Sequence, residues 1–279
     1  MISIEVKKVL NNNVLIASHP RYEEVIMIGK GIGFNRKKGE VISAESAEKM
    51  FVLKNENEQE NYKKLLPLIE EPILSVIIEA IDLIKRRVRG ELNEHIHVGL
   101  TDHLTATIHR INEGINIRNP FLDETKTLYP SEFDIAEEVV ELIQARTGVS
   151  LPEAETGFIT LHIHSAITNK QVSEINQHSQ LIASLIAVVE EQFDMSINKA
   201  SMDYMRLVRH LRFAIERVLR EEKVEEPEKI STLLQEEYPV CYNLAWKLIK
   251  IMQNVLKKPV FDAEAVYLTM HLQRLQRNN

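Results

Sequence analysis

Residues 100–111 read LTDHLTATIHRI and residues 207–218 read LVRHLRFAIERV. Leu100, His103, Leu104, Ile108, Arg110 and Ile111 of the first run match Leu207, His210, Leu211, Ile215, Arg217 and Val218 of the second, position for position. Further on, Tyr129, Pro130, Phe133 and Ala136 correspond to Tyr238, Pro239, Tyr242 and Ala245. Glu155, Phe158, Thr160 and His162 likewise correspond to Glu264, Tyr267, Thr269 and His271. The step from Tyr129 to His162 and from Tyr238 to His271 is the same, 33 residues, while the preceding step from the first histidine is 26 against 28. A period of about a hundred residues is too long for a solenoid and suits a duplicated domain. Leu100, Leu104, Ile108 and Ile111 fall on one stripe of an amphipathic helix, so the duplicated unit is helical.

Outward from the repeat, residues 1–57 look different. Ile2, Ile4 and Val6 alternate with Ser3, Glu5 and Lys7, and short apolar runs at 14–17, 25–28 and 50–53 are separated by Asn, Pro and Gly. This predicts a small antiparallel sheet. A polar stretch at 54–61 (KNENEQEN) is the expected linker to helices, the first with Ile73, Ile77, Ile81 and Ile84 on one stripe. A second interruption at 168–179 (TNKQVSEINQHS) is the expected junction between two modules. The fold class is therefore α+β and multidomain: a β-rich head at 1–57, then two tandem all-α domains at 64–169 and 170–279.

The chain of 279 residues, 44% hydrophobic, is long enough for such cores. A net charge of −7 argues against coating nucleic acid by general electrostatics, since phosphate neutralisation needs clustered cations. The head is the least acidic part, with nine Lys and Arg to seven Asp and Glu over residues 1–57. Neither a signal-peptide run nor an apolar stretch of membrane-spanning length is visible, so a cytoplasmic protein without stable membrane insertion is expected. The single cysteine, Cys241, makes no internal disulfide and reads as a packed helical residue.

Four of the ten histidines occupy the duplicated positions. On a helix, His103 and His210 sit about 90° from the centre of the apolar stripe, where packing holds an imidazole while one nitrogen faces outward, as a phosphoryl acceptor requires. Arg110 and Arg217, two turns on, are candidate phosphate partners. A repeated, hydrogen-bonded core histidine fits the same pattern, and more so for His162 and His271, one turn after Phe158 and Tyr267. Asp102 precedes His103, whereas Arg206, Arg209 and Arg212 surround His210, so the two modules are expected to respond unequally to phosphate. His95-x-His97 and His162-x-His164 do not make a metal site, because i and i+2 point about 200° apart on a helix and no ligand cluster accompanies them. No catalytic motif is found: there is no Gly-x-Ser-x-Gly elbow, and Gly29-Lys30-Gly31-Ile32-Gly33 lacks the Gly-Lys-Ser/Thr ending of a phosphate loop.

The head gathers Asn11, Asn12 and Asn13 at a turn and Phe34, Arg36, Lys37 and Lys38 after the glycine run. Asparagine offers donors and an acceptor to base edges, glycine admits a ribose-phosphate strand, phenylalanine stacks on an unpaired base and cations meet phosphates. The same residues also make ordinary turns. So small a sheet gains stability, and a doubled contact surface, by dimerising.

Over essentially its full length the sequence resembles the BglG/SacY/LicT family of bacterial transcription antiterminators. The resemblance is carried in the head by residues 8–14 (KVLNNNV) and 29–34 (GKGIGF), and in the helical part by LTDH (100–103), LHI (161–163), RHL (209–211) and MHL (270–272). It implies a homodimeric RNA-binding head that holds a leader-mRNA hairpin and prevents terminator formation, with Asn11, Asn13, Gly29, Lys30 and Phe34 as RNA contacts. Lys30 stands where many relatives have Arg, which keeps the charge and loses the planar fork. It also implies two phosphotransferase-system regulation domains phosphorylated at His103, His162, His210 and His271, the sugar permease acting on the first and HPr mainly on the second. Residues 10–19, 93–97 and 174–179 look most like the glucose-type members. The resemblance implies no cofactor and no enzymatic turnover. A DNA-binding activator with the same modules would need a helix-turn-helix that the strand-like head does not offer, and a histidine- or metal-dependent enzyme is the remaining alternative.

Overall fold

The computed structural model describes residues 3–52, 56–222 and 228–278; Ile2, Leu53, Lys54 and Asn55 lie outside them. The head is a five-stranded antiparallel sheet of β1 (Ser3–Asn11), β2 (Val14–His19), β3 (Glu23–Ile28), β4 (Val41–Ser43) and β5 (Lys49–Phe51), in the order β4-β1-β2-β3-β5. This is the expected small antiparallel sheet, with β4 as a three-residue edge strand too short to show periodicity. Its central strands are buried on both faces. Ile4, Val6, Leu15, Ala17, Val25 and Met27 form one core closed by Ile32 and Ile42. Val14, Ile26 and Ile28 point the other way and pack on Tyr62, Leu66, Ile69, Leu74 and Ile78.

Two junctions differ from the sequence reading. The polar stretch after the head forms α1 (Glu56–Leu65), because Glu, Gln and Lys are good helix formers and Tyr62, fully buried, anchors one face. The expected junction at 168–179 is only a short break. Asn169, in the left-handed region at φ 53°, ends α6 (Glu153–Thr168), and α7 (Val172–Phe193) starts three residues later with Ile175, Ser179 and Ile182 already buried.

Two compact units result. The first comprises Met1–Asn116 and Ile135–Asn169 and includes, besides the head and α1, α2 (Glu71–Arg87), α3 (His95–Asn112), most of α5 (Pro130–Thr147) and α6. Its helical core joins Ile77, Ile81 and Ile84 to Leu100, Leu104, Ile108, Ile143, Ile159 and Ile163. The second comprises Ile117–Asp134 and Lys170–Asn279, hence α4 (Leu122–Leu128), the start of α5, α7, α8 (Met202–Arg220), α9 (Glu228–Glu237), α10 (Pro239–Leu256) and α11 (Ala263–Asn278). Residues 117–134, which by sequence fall inside the first module, thus cluster with the second unit. There the buried carboxylate of Glu124 accepts a hydrogen bond from the Tyr204 hydroxyl at 3.0 Å, and Arg212 donates to the Leu128 carbonyl at 3.5 Å. Cys241 is buried on α10 with Sγ 3.3 Å from Gln276 Oε1. No helix among the described residues is long and apolar enough to cross a membrane.

The loop after β3 folds back on the asparagine turn: Gly33 N donates to the Asn12 carbonyl at 2.8 Å, and a Cβ on Gly33 would lie 2.2 Å from the Asn11 carbonyl oxygen. Gly33→Ala is therefore expected to destabilise the head by about 1–3 kcal/mol, as overpacking does. Urea unfolding followed by hydrogen exchange of the β1 and β2 amides measures it; equal protection in both proteins would contradict it.

Candidate functional site: two histidine centres and a loop edge

Glu155 lies in the first turn of α6 and is fully buried. A buried carboxylate needs partners, and three converge on it. His103 Nε2, from α3, is 3.1 Å from its Oε2; Thr107 donates to that same oxygen at 3.2 Å; Arg110 donates to Oε1 at 2.5 Å. His162, two turns beyond Glu155 on α6, brings its ring to 4.9 Å from that of His103, and Phe158 closes the side at 6.0 Å. Gly99 permits this approach, since a Cβ there would sit 3.3 Å from His162 Nδ1.

The second unit repeats the arrangement from α8 and α11. His210 Nε2 is 3.3 Å from Glu264 Oε2, Arg217 holds Glu264 through two bonds of 2.7 and 2.9 Å, and the His210 and His271 rings are 4.7 Å apart. Tyr267 takes the place of Phe158, at 5.9 Å from His210. The four histidines singled out by the repeat are thus brought together as two pairs. His103 and His210 keep 19% and 14% of their side chains exposed, so neither ring is sealed off.

The geometry adds partners around the rings that the sequence did not give. Arg110 and Arg217 are each bound to a glutamate, so either reaches a phosphate only by leaving that carboxylate. Asp102 is exposed, and the carboxylate that contacts the imidazole is Glu155, on another helix. Around His210, Arg206 is paired with Asp203 at 3.3 Å and Arg212 with Glu216 at 3.1 Å, so the basic surround is partly neutralised. Sequence reasoning matched Glu155 with Glu264 but gave them no task. The signal was present: each lies seven residues before the second histidine of its centre, on the same helix face.

The electrostatics follow. Burial alone raises a carboxyl pKa, but the His103 contact and the Arg110 cation outweigh it, so Glu155 lies below the ordinary range; Glu264 does the same with His210 and Arg217. Burial, reinforced by His103 and His95, lowers His162 to about 3, and burial, then His210, Arg274 and Arg206, lowers His271 to about 4. Both rings are neutral near pH 7 and keep a nitrogen lone pair. The neighbouring histidines diverge: His95 Nε2 lies 3.0 Å from Ser165 Oγ, whereas His97 is buried with its ring edge-on to Phe51 at 4.8 Å. Among the described residues no group of three His, Cys, Asp or Glu is placed to hold a metal ion.

At the end of the head sheet the five expected RNA contacts share one edge. Asn11 Oδ1 accepts from Asn13 N at 2.9 Å, Asn13 Oδ1 accepts from Gly31 N at 2.5 Å, and Gly29 N donates to the Asn13 carbonyl at 3.0 Å. These bonds use the two side-chain carbonyls internally and leave the amide NH2 groups as donors. Asn13 is nearly buried, Lys30 is exposed with its amide donating to Glu48, and Phe34 is 61% exposed, which is unusual for an unpartnered aromatic.

A histidine whose folded pKa is depressed stabilises the fold above its unfolded value of about 6.5, and that stability drains as pH falls toward the folded pKa. His162 is therefore expected to cost about 1–2 kcal/mol of stability at pH 5 relative to pH 7.5. Urea titrations at the two pH values measure the loss, which should flatten in His162→Gln; identical pH dependence in the two proteins would contradict it.

Comparison with known proteins accords with these features. Residues 4–60 match the CAT RNA binding domain, and residues 78–166 and 183–275 each match the PRD domain. The chain is 56% identical over 273 residues to the PtsGHI operon antiterminator of Bacillus subtilis, covering 98% of this chain and 97% of the relative. It is 36% identical over 281 residues to the GlcA/glcB genes antiterminator of Staphylococcus carnosus, covering 100% and 98%. The crystal structure of GlcT CAT-PRDI superposes with a TM-score of 0.54 at 53% identity, covering 60% of this chain and 99% of that one. With a CAT head, two PRD modules and relatives named as antiterminators matched over nearly their whole length, this chain belongs to the antiterminator family that joins a CAT RNA binding domain to paired PRD domains.

Proposed function

We propose that the head, as a homodimer, binds a hairpin in a nascent leader transcript through Asn11, Asn13, Gly29, Lys30 and Phe34 and so prevents the overlapping terminator. His103, His162, His210 and His271 accept phosphate from the sugar phosphotransferase system, a glucose-type permease serving the first module and HPr mainly the second. Domain limits of 1–57, 64–169 and 170–279 accompany this reading. The observation that carries it is the duplicated centre itself: two neutral-capable imidazoles stacked beside a buried carboxylate and a guanidinium, built twice in one chain. The antiterminator names of the relatives, among them those of glucose genes, support the transcript and sugar assignments.

The chemistry is a transfer of a phosphoryl group to nitrogen. A ring nitrogen lone pair attacks the phosphorus of the phosphorylated donor, the new N–P bond forms as the donor's bond to phosphorus breaks, and the donor side chain leaves with that electron pair. Glu155 orients His103 through Nε2 and balances the positive charge that the ring gains as it is attacked. The phosphate then repels Glu155, and Arg110 can exchange its carboxylate for the phosphate dianion, a swap of one charge-assisted pair for another. The phosphate is taken up once per site, with no turnover. The module surrounded by Arg206, Arg209 and Arg212 retains phosphate longer than the one beside Asp102.

Two outcomes check this. Full-length protein should bind a hairpin copied from a ptsGHI leader far more tightly than duplex DNA of the same sequence; equal affinities would sink the antiterminator reading. Glu155→Gln should slow phosphorylation of His103 by on the order of 10²-fold while leaving His210 unaffected, as followed site by site with mass spectrometry in a reconstituted phosphotransferase mixture. Unchanged kinetics at His103 would remove Glu155 from the mechanism.

A further inference from the structure

The head packs on α2 by apolar contacts, but one margin of that contact is open and charged. A cleft of about 360 Å³ lies there, lined on the head side by Asn13, Gly29, Lys30 and Lys49 and on the helix side by Glu71 and Asp82, among others. Lys49 pairs with Ile28 in the β3–β5 ladder, so it stands beside Gly29, at the same edge as the proposed RNA contacts. Its ammonium is bound to the Asp82 carboxylate, with the two side chains 43% and 25% exposed. Glu79, also at the cleft, is already neutralised by Arg146 through bonds of 3.0 and 2.7 Å, and Glu48 on the head side accepts from the Lys30 amide at 3.1 Å, which leaves Asp82 and Glu71 as the carboxylates that α2 turns toward the edge.

We infer that Asp82 holds on Lys49 the place of an RNA phosphate, so that α2 of the first PRD module and the transcript compete for one cation of the head. This rests on the RNA-contact edge assigned under Proposed function and adds Lys49 as a further phosphate contact. The physical argument is exclusion. A cleft of that size admits a small molecule but not a hairpin stem, so a strand laid along the exposed Lys30, Gly31 and Phe34 brings a phosphate past Gly29 to Lys49 only as head and α2 part at this margin. While they stay closed, Lys49 is taken, and an approaching phosphate meets Asp82 and Glu71 as like charges. Once they part, Lys49 gains a phosphate and Asp82 returns to solvent. The Lys49–Asp82 pair is thus a latch whose opening is part of RNA binding, and it sits on α2, which packs directly against α3 and so against the element that bears His103.

The test uses the full chain and a fluorescent hairpin copied from a ptsGHI leader, titrated across a salt series. Asp82→Asn removes the competitor without disturbing a core and is expected to tighten binding roughly two- to fivefold, the range of a partly exposed ion pair. It should also steepen the slope of log affinity against log salt, because salt weakens the competing ion pair in the parent alone, so the gain shrinks as salt rises. Lys49→Gln should weaken binding and flatten the slope, and in the double variant the gain from Asp82→Asn should largely vanish, since the cation competed for is gone. Affinity and slope in Asp82→Asn equal to those of the parent, or a gain that persists undiminished in the Lys49→Gln background, would overturn the latch. A parent chain that shows no preference for the hairpin over duplex DNA would overturn the RNA-contact reading, and the latch with it.

Discussion

A carboxylate placed in a protein interior must be answered there, and in this chain Glu155 and Glu264 are answered in the same way, by an imidazole and a guanidinium from the neighbouring helix. Desolvation of such an anion costs several kcal/mol, so the helices that supply its partners are not free to slide relative to the one that bears it. In the first unit this fixes α3 against α6; in the second it fixes α8 against α11. The second histidine of each centre then needs no anchor of its own, because its position two turns along from the glutamate is set by the helix repeat. Loss of one partner strands the other, which makes these centres sensitive to any added charge.

The head obeys a different constraint. A sheet of five short strands with apolar side chains on both faces has no solvent face to spare, and one face is covered by α1 and α2. The regulatory helices are therefore part of the head's core rather than a weight hung from a linker. Charge enters only at the margin, at Lys49 and Asp82, and at Lys63, which is paired to Glu24 and Glu60. An apolar contact rimmed by exposed ion pairs is the form expected of an interface that opens and closes, since the rim pairs exchange readily with solvent ions or a polyanion.

Much of this was legible from the sequence, and the misses share a cause. Spacing alone marked the histidine pairs, because a repeat copies positions whatever their partners are. The strand alternation of the head was equally open. What spacing cannot show is which side chains meet from different helices, so Arg110 and Arg217 were placed toward an incoming phosphate when they already hold Glu155 and Glu264. The KNENEQEN stretch looked like a linker because it is a polar run between a strand pattern and a helical one; its Glu, Gln and Lys content is helical in propensity, and the burial of Tyr62 anchors that helix. Residues 117–134 fall within the first PRD match at 78–166 yet cluster with the second compact unit, through contacts such as that of Glu124 with Tyr204, 80 residues away, which nothing local encodes.

The inner geometry of the two centres is nearly identical, so a difference in their behaviour has to come from the next layer out. At the position where the first centre has Gly99, the second has Arg206. In the first centre the absence of a side chain lets His162 lie close against α3, in a largely uncharged setting whose burial keeps the ring neutral. In the second, Arg206 and Arg274 add their charge to burial in depressing His271. Both devices keep an imidazole neutral, but they differ toward a phosphate dianion: among the described residues the first offers it the guanidinium of Arg110, bound to Glu155, whereas the second adds to Arg217 the guanidinium of Arg274 and that of Arg206, itself paired with Asp203. One duplicated core with a neutral wall in one copy and a basic wall in the other is a physical basis for the unequal phosphate retention proposed for the two modules, without any change in the residues proposed to react.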